Sequence, residues 1–162
     1  MYKIQPTILG ISPGTRSIGL AVYRNGSLAE WRVKTFKGFW SNGKLKDILY
    51  ELKNYMAEQG ITVVAIKRPD TIRSSVGVQQ VVSEITVLAK RNDIKVSLYS
   101  LQEMKRYYSK EKRFSKSEMI RQVASTNSEL HHEYNKEQRN RNSYYVKMFE
   151  AIAVALINAK SE

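Results

Sequence analysis

The sequence predicts an α/β fold in which a mixed five-stranded sheet, three antiparallel strands followed by two parallel ones, is flanked by helices. Two patterns support this. The first 36 residues contain three strand-like runs, and from residue 45 onward helical periodicity alternates with short β-branched runs. The chain has 162 residues, 42% of them hydrophobic, and no cysteine. A core of this size needs no disulfide, and thiolate metal sites and cysteine nucleophiles are excluded. We expect a single domain over residues 1–162.

Three strands are predicted at the start of the chain. They cover Thr7–Ser12, Ser17–Tyr23 and Ser27 to about Phe36, and the Arg24-Asn25-Gly26 turn supplies residues that tolerate positive φ in a hairpin. The third strand alternates in the way expected of a strand with one wet face, its apolar set being Ala29, Trp31, Val33 and Thr35 and its polar set Glu30, Arg32 and Lys34.

Helices and strands then alternate. A helix that ends at Gly60 is predicted from apolar residues at helical spacing, namely Leu45, Ile48, Leu49, Leu52, Tyr55 and Met56. A buried strand at Ile61–Lys67 follows, and the intervening helix makes it parallel to the first strand. A second helix from Ser75 to about Lys90 and a fifth strand at Ile94–Tyr99 complete the sheet.

The last third is predicted to be helical at both ends. The segment Ser115–Glu118 has capping-box spacing, which favours a helix start. The polar stretch Glu129–Asn142, which includes the adjacent His131 and His132, lacks an apolar period and is interpreted as a loop or mobile linker with solvated histidines. A closing helix is expected from about Ser143 to Ala159, with its apolar side formed by Val146, Phe149, Ala153, Leu156 and Ile157.

The charge distribution favours a polyanionic partner. The formal net charge is +12, of which +7 lies in residues 1–46 and +5 in residues 105–162. The densest basic segment, Lys105–Arg121, has seven basic residues against two acidic ones. Nucleic acid is the partner that this pattern suggests, and a solvated basic surface is the alternative. The longest apolar run, Ala151–Ile157, is too short for a membrane span, and no secretion signal is apparent, so we expect a cytoplasmic protein, either nucleoid-associated or viral.

Three motifs resemble a known family. The segment Ile8–Val22 (ILGISPGTRSIGLAV) is similar to the I-L-G-I-D-P-G-x-R-x-x-G hairpin of RuvC-like Holliday-junction resolvases, which belong to the RNase H-like superfamily. Val63–Lys67 (VVAIK) and Lys147–Ala155 (KMFEAIAVA) resemble that family's glutamate-bearing strand and its terminal helix. The resemblance implies an RNase H-like sheet, DNA junctions as partners, and two divalent metals held by four carboxylates. It also implies a homodimer formed through the helix near Ser75–Lys90.

The resemblance places the four acidic positions on Ser12, Lys67, Lys147 and Glu150, so that only one carboxylate remains. A single glutamate does not hold two metal ions, and ammonium groups repel Mg²⁺. We therefore expect a vestigial site without catalytic residues, metal or cofactor, in which one or both of Lys67 and Lys147 pair with Glu150 in place of the metal charge. In the alternative interpretation these are an ordinary strand end and a surface ion pair.

The positions at which the family carries basic residues for nucleic-acid binding are also basic in this sequence. The family's basic positions fall on Lys105 and Lys116, and the other predicted binding residues are Arg106, Arg113, Arg68 and Arg73. Tyr107, Tyr108 and Phe114 either stack on unpaired bases or belong to the core. The family's aromatic residue just past the strand glutamate is replaced by the Arg68-Pro69-Asp70 sequence, so junction opening by that residue is not expected.

The leading prediction is a domain that binds branched or structured DNA, or RNA, and has lost nuclease activity. The alternative is an active, metal-dependent, structure-selective endonuclease whose site is rebuilt from Glu150 with Asp70 or Glu84, which would require Mg²⁺. A protein-interaction module is the third possibility. For the predicted homodimer, an apolar stripe of Val78, Val81, Val82 and Ile85 either meets a second copy or faces the core.

Overall fold

The computed structural model describes residues 5–70, 72–140 and 145–161. It contains one five-stranded sheet with the strand order β3-β2-β1-β4-β5. The first three strands are antiparallel neighbours, and β4 and β5 run parallel to β1. The predicted fold class is confirmed, with the strands at β1 (Ile8–Ser12), β2 (Ser17–Arg24), β3 (Ser27–Thr35), β4 (Val63–Lys67) and β5 (Lys95–Tyr99).

Among the described residues, six α-helices flank this sheet. They are α1 (Asn42–Gln59), α2 (Val76–Arg91), α3 (Leu101–Tyr108), α4 (Lys116–Thr126), α5 (His131–Asn140) and α6 (Val146–Ser161). The first four begin at a serine whose side chain accepts a hydrogen bond from the helix backbone, which satisfies one of the free N–H groups there. α1 ends at Gly60, which adopts a left-handed conformation with φ of 65°.

The polar stretch Glu129–Asn142 is not the predicted loop. A 3-10 helix (Ser128–Leu130) leads into α5, and Leu130 is fully buried. The prediction was wrong because a single buried anchor in a polar run produces no apolar period. The helix α3 was also not predicted, although a capping box formed by Ser100 and Glu103 starts it. Asn142 and the expected helix start at Ser143 lie outside the described residues.

The core has two layers, one on each face of the sheet. Because successive side chains of a strand point to opposite faces, Leu9, Ile11, Val64 and Ile66 pack with α1 and α2. The other face packs with α3, α4 and α6, and its buried sheet residues are Ile8 and the shorter Ala21, Val63 and Ala65, while the larger Tyr23, Trp31 and Tyr99 are only partly buried. This difference lets a helix approach the second face closely.

α6 uses that space and is the central helix of the fold. Each residue from Met148 to Ala155 is buried, so the predicted apolar side was too narrow. The reason lies in two glycines of the sheet. A Cβ at Gly10 would overlap the carbonyl oxygen of Ala151, and a Cβ at Gly19 would overlap that of Lys147. The helix backbone therefore rests directly on β1 and β2.

The polar side chains of β3 are only partly exposed to solvent, whereas the alternating pattern predicted a solvent-exposed face. Glu30 accepts a 2.5 Å hydrogen bond from the Tyr55 hydroxyl of α1, and the Arg32 guanidinium lies 4.6 Å from the centre of the Tyr55 ring. A bulge where β3 pairs with Val22 and Tyr23 shifts the register, and Ala29 is exposed. β3 is thus tied to α1 by polar contacts.

None of the helices in residues 5–70, 72–140 and 145–161 combines the length and apolar character needed to cross a membrane.

Candidate functional site

A buried carboxylate lies where β1, β4 and α6 meet. Register pairing sets Ile11 of β1 opposite Ile66 of β4, so the next residues, Ser12 and Lys67, end neighbouring strands at the same edge of the sheet. Glu150 of α6 reaches this edge and is only 3% exposed. Its Oε2 forms an ion pair with the Lys67 Nζ, and its Oε1 accepts a 3.3 Å hydrogen bond from the Ser12 hydroxyl. The motif positions thus converge in space.

Two further lysines complete this cluster. The Nζ of Lys116, the first residue of α4, lies 3.9 Å from the Glu150 Oε2. The Nζ of Lys147 donates a 2.9 Å hydrogen bond to the carbonyl oxygen of Pro13. Of the two lysines expected to pair with Glu150, Lys67 does so, whereas Lys147 is anchored to the β1–β2 turn. We call Ser12, Lys67, Lys116, Lys147 and Glu150 the lysine cleft.

Glycines make room for the lysine cleft. A Cβ at Gly14 would lie 2.8 Å from the Lys147 Nζ, so a larger residue at position 14 would displace the ammonium group. Gly19 lets α6 approach β2 at Lys147 itself, as described above. Because Lys147 and Glu150 are three residues apart on one helix, this close packing brings both side chains to the same edge of the sheet.

The lysine cleft is positively charged. Three ammonium groups against one carboxylate leave two net positive units. Burial lowers the pKa of Lys147, and the charges of Lys67 and Lys116 lower it further, while Glu150 opposes the shift. Such a field attracts an anion and repels a divalent cation.

The residues of the lysine cleft do not fit the two metals that the resemblance implies. Mg²⁺ requires oxygen ligands in near-octahedral geometry, and the carboxylate of Glu150 is already engaged by Lys67 and Ser12. In the part of the chain that the structure describes, no group of three or more histidine, aspartate or glutamate side chains is placed to hold a metal ion.

The acids considered for a rebuilt metal site have other surroundings. Asp70 is exposed, and its Oδ1 accepts hydrogen bonds from the backbone N–H groups of Ile72 and Arg73 at 2.8 and 3.3 Å. These two bonds lower the pKa of the Asp70 carboxyl. Glu84 is exposed on α2, and His131 and His132 are exposed at the start of α5.

The predicted nucleic-acid residues lie around α3, the start of α4 and the loop after β4. Lys105 and Arg106 are on α3, and both line a depression of about 290 Å³. Its other lining residues are Gln102, Ser109, Lys110, Glu111, Lys112 and Phe114. Arg113 is exposed between α3 and α4. Arg68 and Arg73 are exposed in the loop that follows Lys67, which begins at the same sheet edge as the lysine cleft.

Only one of the three aromatic residues in the basic segment is available for stacking. Phe114 is buried, and Tyr108 donates a 2.8 Å hydrogen bond from its hydroxyl to the carbonyl oxygen of Ala153 in α6. For these two the core interpretation holds. Tyr107 is 42% exposed and contacts Tyr108 edge to face.

The apolar stripe of α2 faces the core. Val81, Val82 and Ile85 are buried against β4 and α1, and Val78 is half-buried. The exposed apolar residues of this helix are instead Val76 and Val87. The stripe therefore supplies no surface for a second copy of the chain.

Comparison with solved structures identifies the fold. RuvC of Thermus thermophilus in complex with a Holliday junction superposes with a TM-score of 0.70 and 16% identity, over 96% of this chain and 93% of RuvC. The chain has a RuvC-like fold. A second T. thermophilus RuvC structure gives a TM-score of 0.71 at 17% identity, over 94% of this chain and 93% of RuvC. The fowlpox virus resolvase with Holliday-junction DNA gives 0.62 at 14%, over 96% and 97% of the two chains. No protein-family model and no curated protein matches the sequence.

Within this RuvC-like fold, sequence reasoning missed part of the site. Lys116 was assigned to the basic surface, yet it lies within 4 Å of Glu150. Its position at the start of a capped helix was a usable signal, since Ser115 accepts a hydrogen bond from the Glu118 N–H and fixes where α4 begins. The hydrogen bond between Lys147 and the Pro13 carbonyl could not be predicted, because the pattern of side chains in a sequence does not show which backbone oxygen accepts a hydrogen bond.

Proposed function

We propose that this protein binds branched or structured DNA, or RNA, through backbone phosphates and does not hydrolyse the strand. One observation carries the proposal: the carboxylate of Glu150 is neutralised by Lys67 at the point where RuvC-like nucleases are expected to hold metal. Metal-assisted hydrolysis needs cations that stabilise the attacking and leaving oxygens. An ammonium group does not coordinate a water molecule and lowers its pKa far less than a bound divalent metal does, so the lysine cleft is poorly suited to form a hydroxide nucleophile.

The basic surface supports the binding half of the proposal. Lys105, Arg106 and Lys116 surround the segment between α3 and α4, and the chain has a net charge of +12. Contacts to phosphates dominate the affinity of proteins for nucleic acid and need no particular base sequence. Two proteins of similar fold, RuvC and the fowlpox virus resolvase, were solved with Holliday-junction DNA, which makes a four-way junction the first ligand to test.

Binding is tested by titrating a labelled four-way junction, a duplex and a single strand into the protein at several salt concentrations. We expect log affinity to fall linearly with log salt, with a slope of about −0.9 for each duplex phosphate neutralised. Lys105→Glu/Lys116→Glu should weaken binding across sequences. The matched control is Lys46→Glu/Lys53→Glu, which changes the net charge equally at exposed positions of α1, on the other face of the sheet. An affinity that does not change with salt concentration would contradict the proposal. An equal loss of affinity in both double variants would also contradict it.

The rival function is a structure-selective endonuclease. Junctions, flaps and single strands incubated with Mg²⁺ or Mn²⁺ should remain intact if nuclease activity has been lost. Metal-dependent products that disappear in Glu150→Ala would establish the rival. A chain that binds none of these ligands at low salt would instead be a protein-interaction module.

The homodimer remains a prediction. Since Val81, Val82 and Ile85 belong to the core, a second copy has to meet the exposed face of α2, where Val76 is 73% and Val87 is 40% exposed. Sedimentation of the protein and of Val76→Glu/Val87→Glu tests this. A dimer that dissociates in the variant supports the prediction, and a monomer at all concentrations refutes it.

A further inference from the structure

We propose that the lysine cleft is itself a phosphate-binding site, in which Lys116 and Lys147 hold one phosphodiester of the bound strand directly. The inference rests on the proposed function and adds a specific contact to it. At the position where the RuvC-like pattern implies metal ions, the lysine ammonium groups balance the charge of the phosphate. It assigns a ligand class, a phosphodiester anion, to residues that would otherwise be only the remains of a lost site.

The first argument is charge balance within the cleft. Lys67 and Glu150 form an ion pair and neutralise each other. Lys116 is 3.9 Å from the Glu150 Oε2, which is beyond hydrogen-bond distance, and its side chain is 42% exposed. Lys147 donates to the Pro13 carbonyl, a neutral acceptor that leaves the ammonium charge uncompensated. Two positive charges therefore remain for an anion.

The second argument is the space around these two ammonium groups. The Lys147 side chain packs against Gly14, where a Cβ would lie 2.8 Å from its Nζ, and Lys147 remains half-buried rather than fully enclosed. A depression of about 330 Å³, lined by Lys116, Arg121 and Val146 among others, adjoins the cleft. Lys116 belongs to both the depression and the lysine cleft, so the two adjoin at this residue. Its one acidic lining residue is Glu118.

The third argument is electrostatic strength. Two unit charges 4 Å apart attract by about 4 kcal/mol at an effective dielectric constant of 20, and by about 1 kcal/mol in bulk water. An ammonium group that is partly removed from water, as that of Lys147 is, therefore binds a phosphate more strongly than a fully exposed lysine does. The contact is to the backbone and not to a base, so it adds affinity and positions the strand on the protein without sequence preference. It also makes divalent metal unnecessary for binding.

The test compares Lys147→Met with Lys90→Met. Both remove one ammonium group, but Lys90 is exposed near the C-terminal end of α2, roughly 20 Å along that helix from the cleft edge of the sheet. We expect Lys147→Met to weaken junction binding about tenfold and to reduce the magnitude of the salt slope by about 0.9. Lys147→Arg should retain most of the affinity, and chelator should leave the affinity of the wild type unchanged. Thermal unfolding of each variant establishes that it is folded.

A second measurement works without nucleic acid. The side-chain resonances of ¹⁵N,¹³C-labelled lysine, assigned with the Lys147→Met and Lys90→Met variants, are followed while dimethyl phosphate is added. Saturable shifts of Lys147, with Lys90 unmoved, support the site.

The two experiments separate the two proposals. If Lys147→Met binds the junction as Lys90→Met does and dimethyl phosphate leaves Lys147 unmoved, the phosphate site is wrong, while weakening by Lys105→Glu/Lys116→Glu would leave the proposed function intact. If the wild type binds no nucleic acid, the proposed function fails, and the dimethyl phosphate titration alone decides whether the cleft is an anion site.

Discussion

Lys67, the last residue of β4, forms an ion pair with Glu150, the buried carboxylate of α6. The contact joins the middle of the sheet to the central helix, and it neutralises a charge that is 3% exposed. Because burial of a charge without a partner costs several kcal/mol, each member of this pair depends on the other.

The first prediction concerns Lys67→Met. The change leaves Glu150 buried without its closest partner, and we expect the free energy of unfolding at pH 7 to fall by about 3 kcal/mol. Lys67→Met/Glu150→Met removes both charges and should recover most of the loss. Urea unfolding measures both variants.

A matched control is Lys34→Met, which breaks the 2.7 Å ion pair with Glu51, where both side chains are well exposed. Its cost should be below about 1 kcal/mol. Equal losses in Lys67→Met and Lys34→Met would contradict a structural role for the buried pair.

The second prediction is that metal binding can be restored. Ser12→Asp/Lys67→Glu/Lys147→Asp, together with the native Glu150, rebuilds the four acidic positions of the RuvC-like pattern. Without metal the four carboxylates repel one another, so the variant should melt below the wild type. Mn²⁺ should then raise its melting temperature, because a ligand that binds only the folded state stabilises it.

The wild type should show no such stabilisation by Mn²⁺. The same triple variant with Glu150→Gln loses one ligand and should gain less. A wild-type protein that Mn²⁺ stabilises as strongly as the triple variant would mean that the lysine cleft does accept a divalent ion.

The third prediction concerns the seat of α6 on the sheet. Gly19→Ala places a methyl group against the backbone carbonyl of Lys147, which side-chain rotation cannot relieve. We expect a loss of about 3 kcal/mol or more in the free energy of unfolding, near the upper end of overpacking effects. Gly43→Ala is the control, because a Cβ there meets only the Ser41 Oγ, at 3.7 Å, within α1. It should be neutral or stabilise by up to about 1 kcal/mol. If Gly19→Ala unfolds at the same urea concentration as the wild type, α6 does not rest on β2 in this way.

The fourth prediction is a pH dependence at Glu30. The hydroxyl of Tyr55 donates to this carboxylate and, with Arg32, lowers the pKa of Glu30 below its ordinary value of 4.5. A lowered folded-state pKa stabilises the protein above the unfolded pKa, and this contribution disappears as the pH falls through the folded value. Glu30→Gln should therefore cost about 1 kcal/mol at pH 7, and the difference from the wild type should shrink below about pH 4.5. Tyr55→Phe removes the hydrogen-bond donor, so the free energy of unfolding of this variant should change less with pH in the acid range. A difference that stays constant down to pH 2 would contradict this origin.

Much of the fold follows from local patterns in the sequence. The turn at Asn25-Gly26, the stop at Gly60 and the β-branched run that ends at Lys67 each have one favourable local structure, and the structure adopts it. The helix α5 has no comparable pattern, and for α3 the sequence offers only the Ser100–Glu103 capping box. α3 has one buried residue, Met104, and a short polar helix with one anchor is stabilised by tertiary contacts that its own period does not reveal.

The part of the site that lies within the three sequence motifs could be predicted. Ser12, Lys67 and Glu150 converge because a strand–strand–helix motif brings them to one sheet edge. The sequence did not reveal that Lys116 approaches from α4, or that Lys147 bonds to a backbone oxygen rather than to Glu150. Both contacts depend on distances between elements that are far apart in the chain.

The contact between Gly19 and the backbone of Lys147 has a consequence for recognition. The helix that carries one ammonium and one carboxylate of the cleft cannot slide along the sheet without losing that contact. The contact therefore fixes how far Lys147 and Glu150 of α6 lie from Ser12 and Lys67 of the sheet, and under the proposed function a bound strand has to fit that spacing.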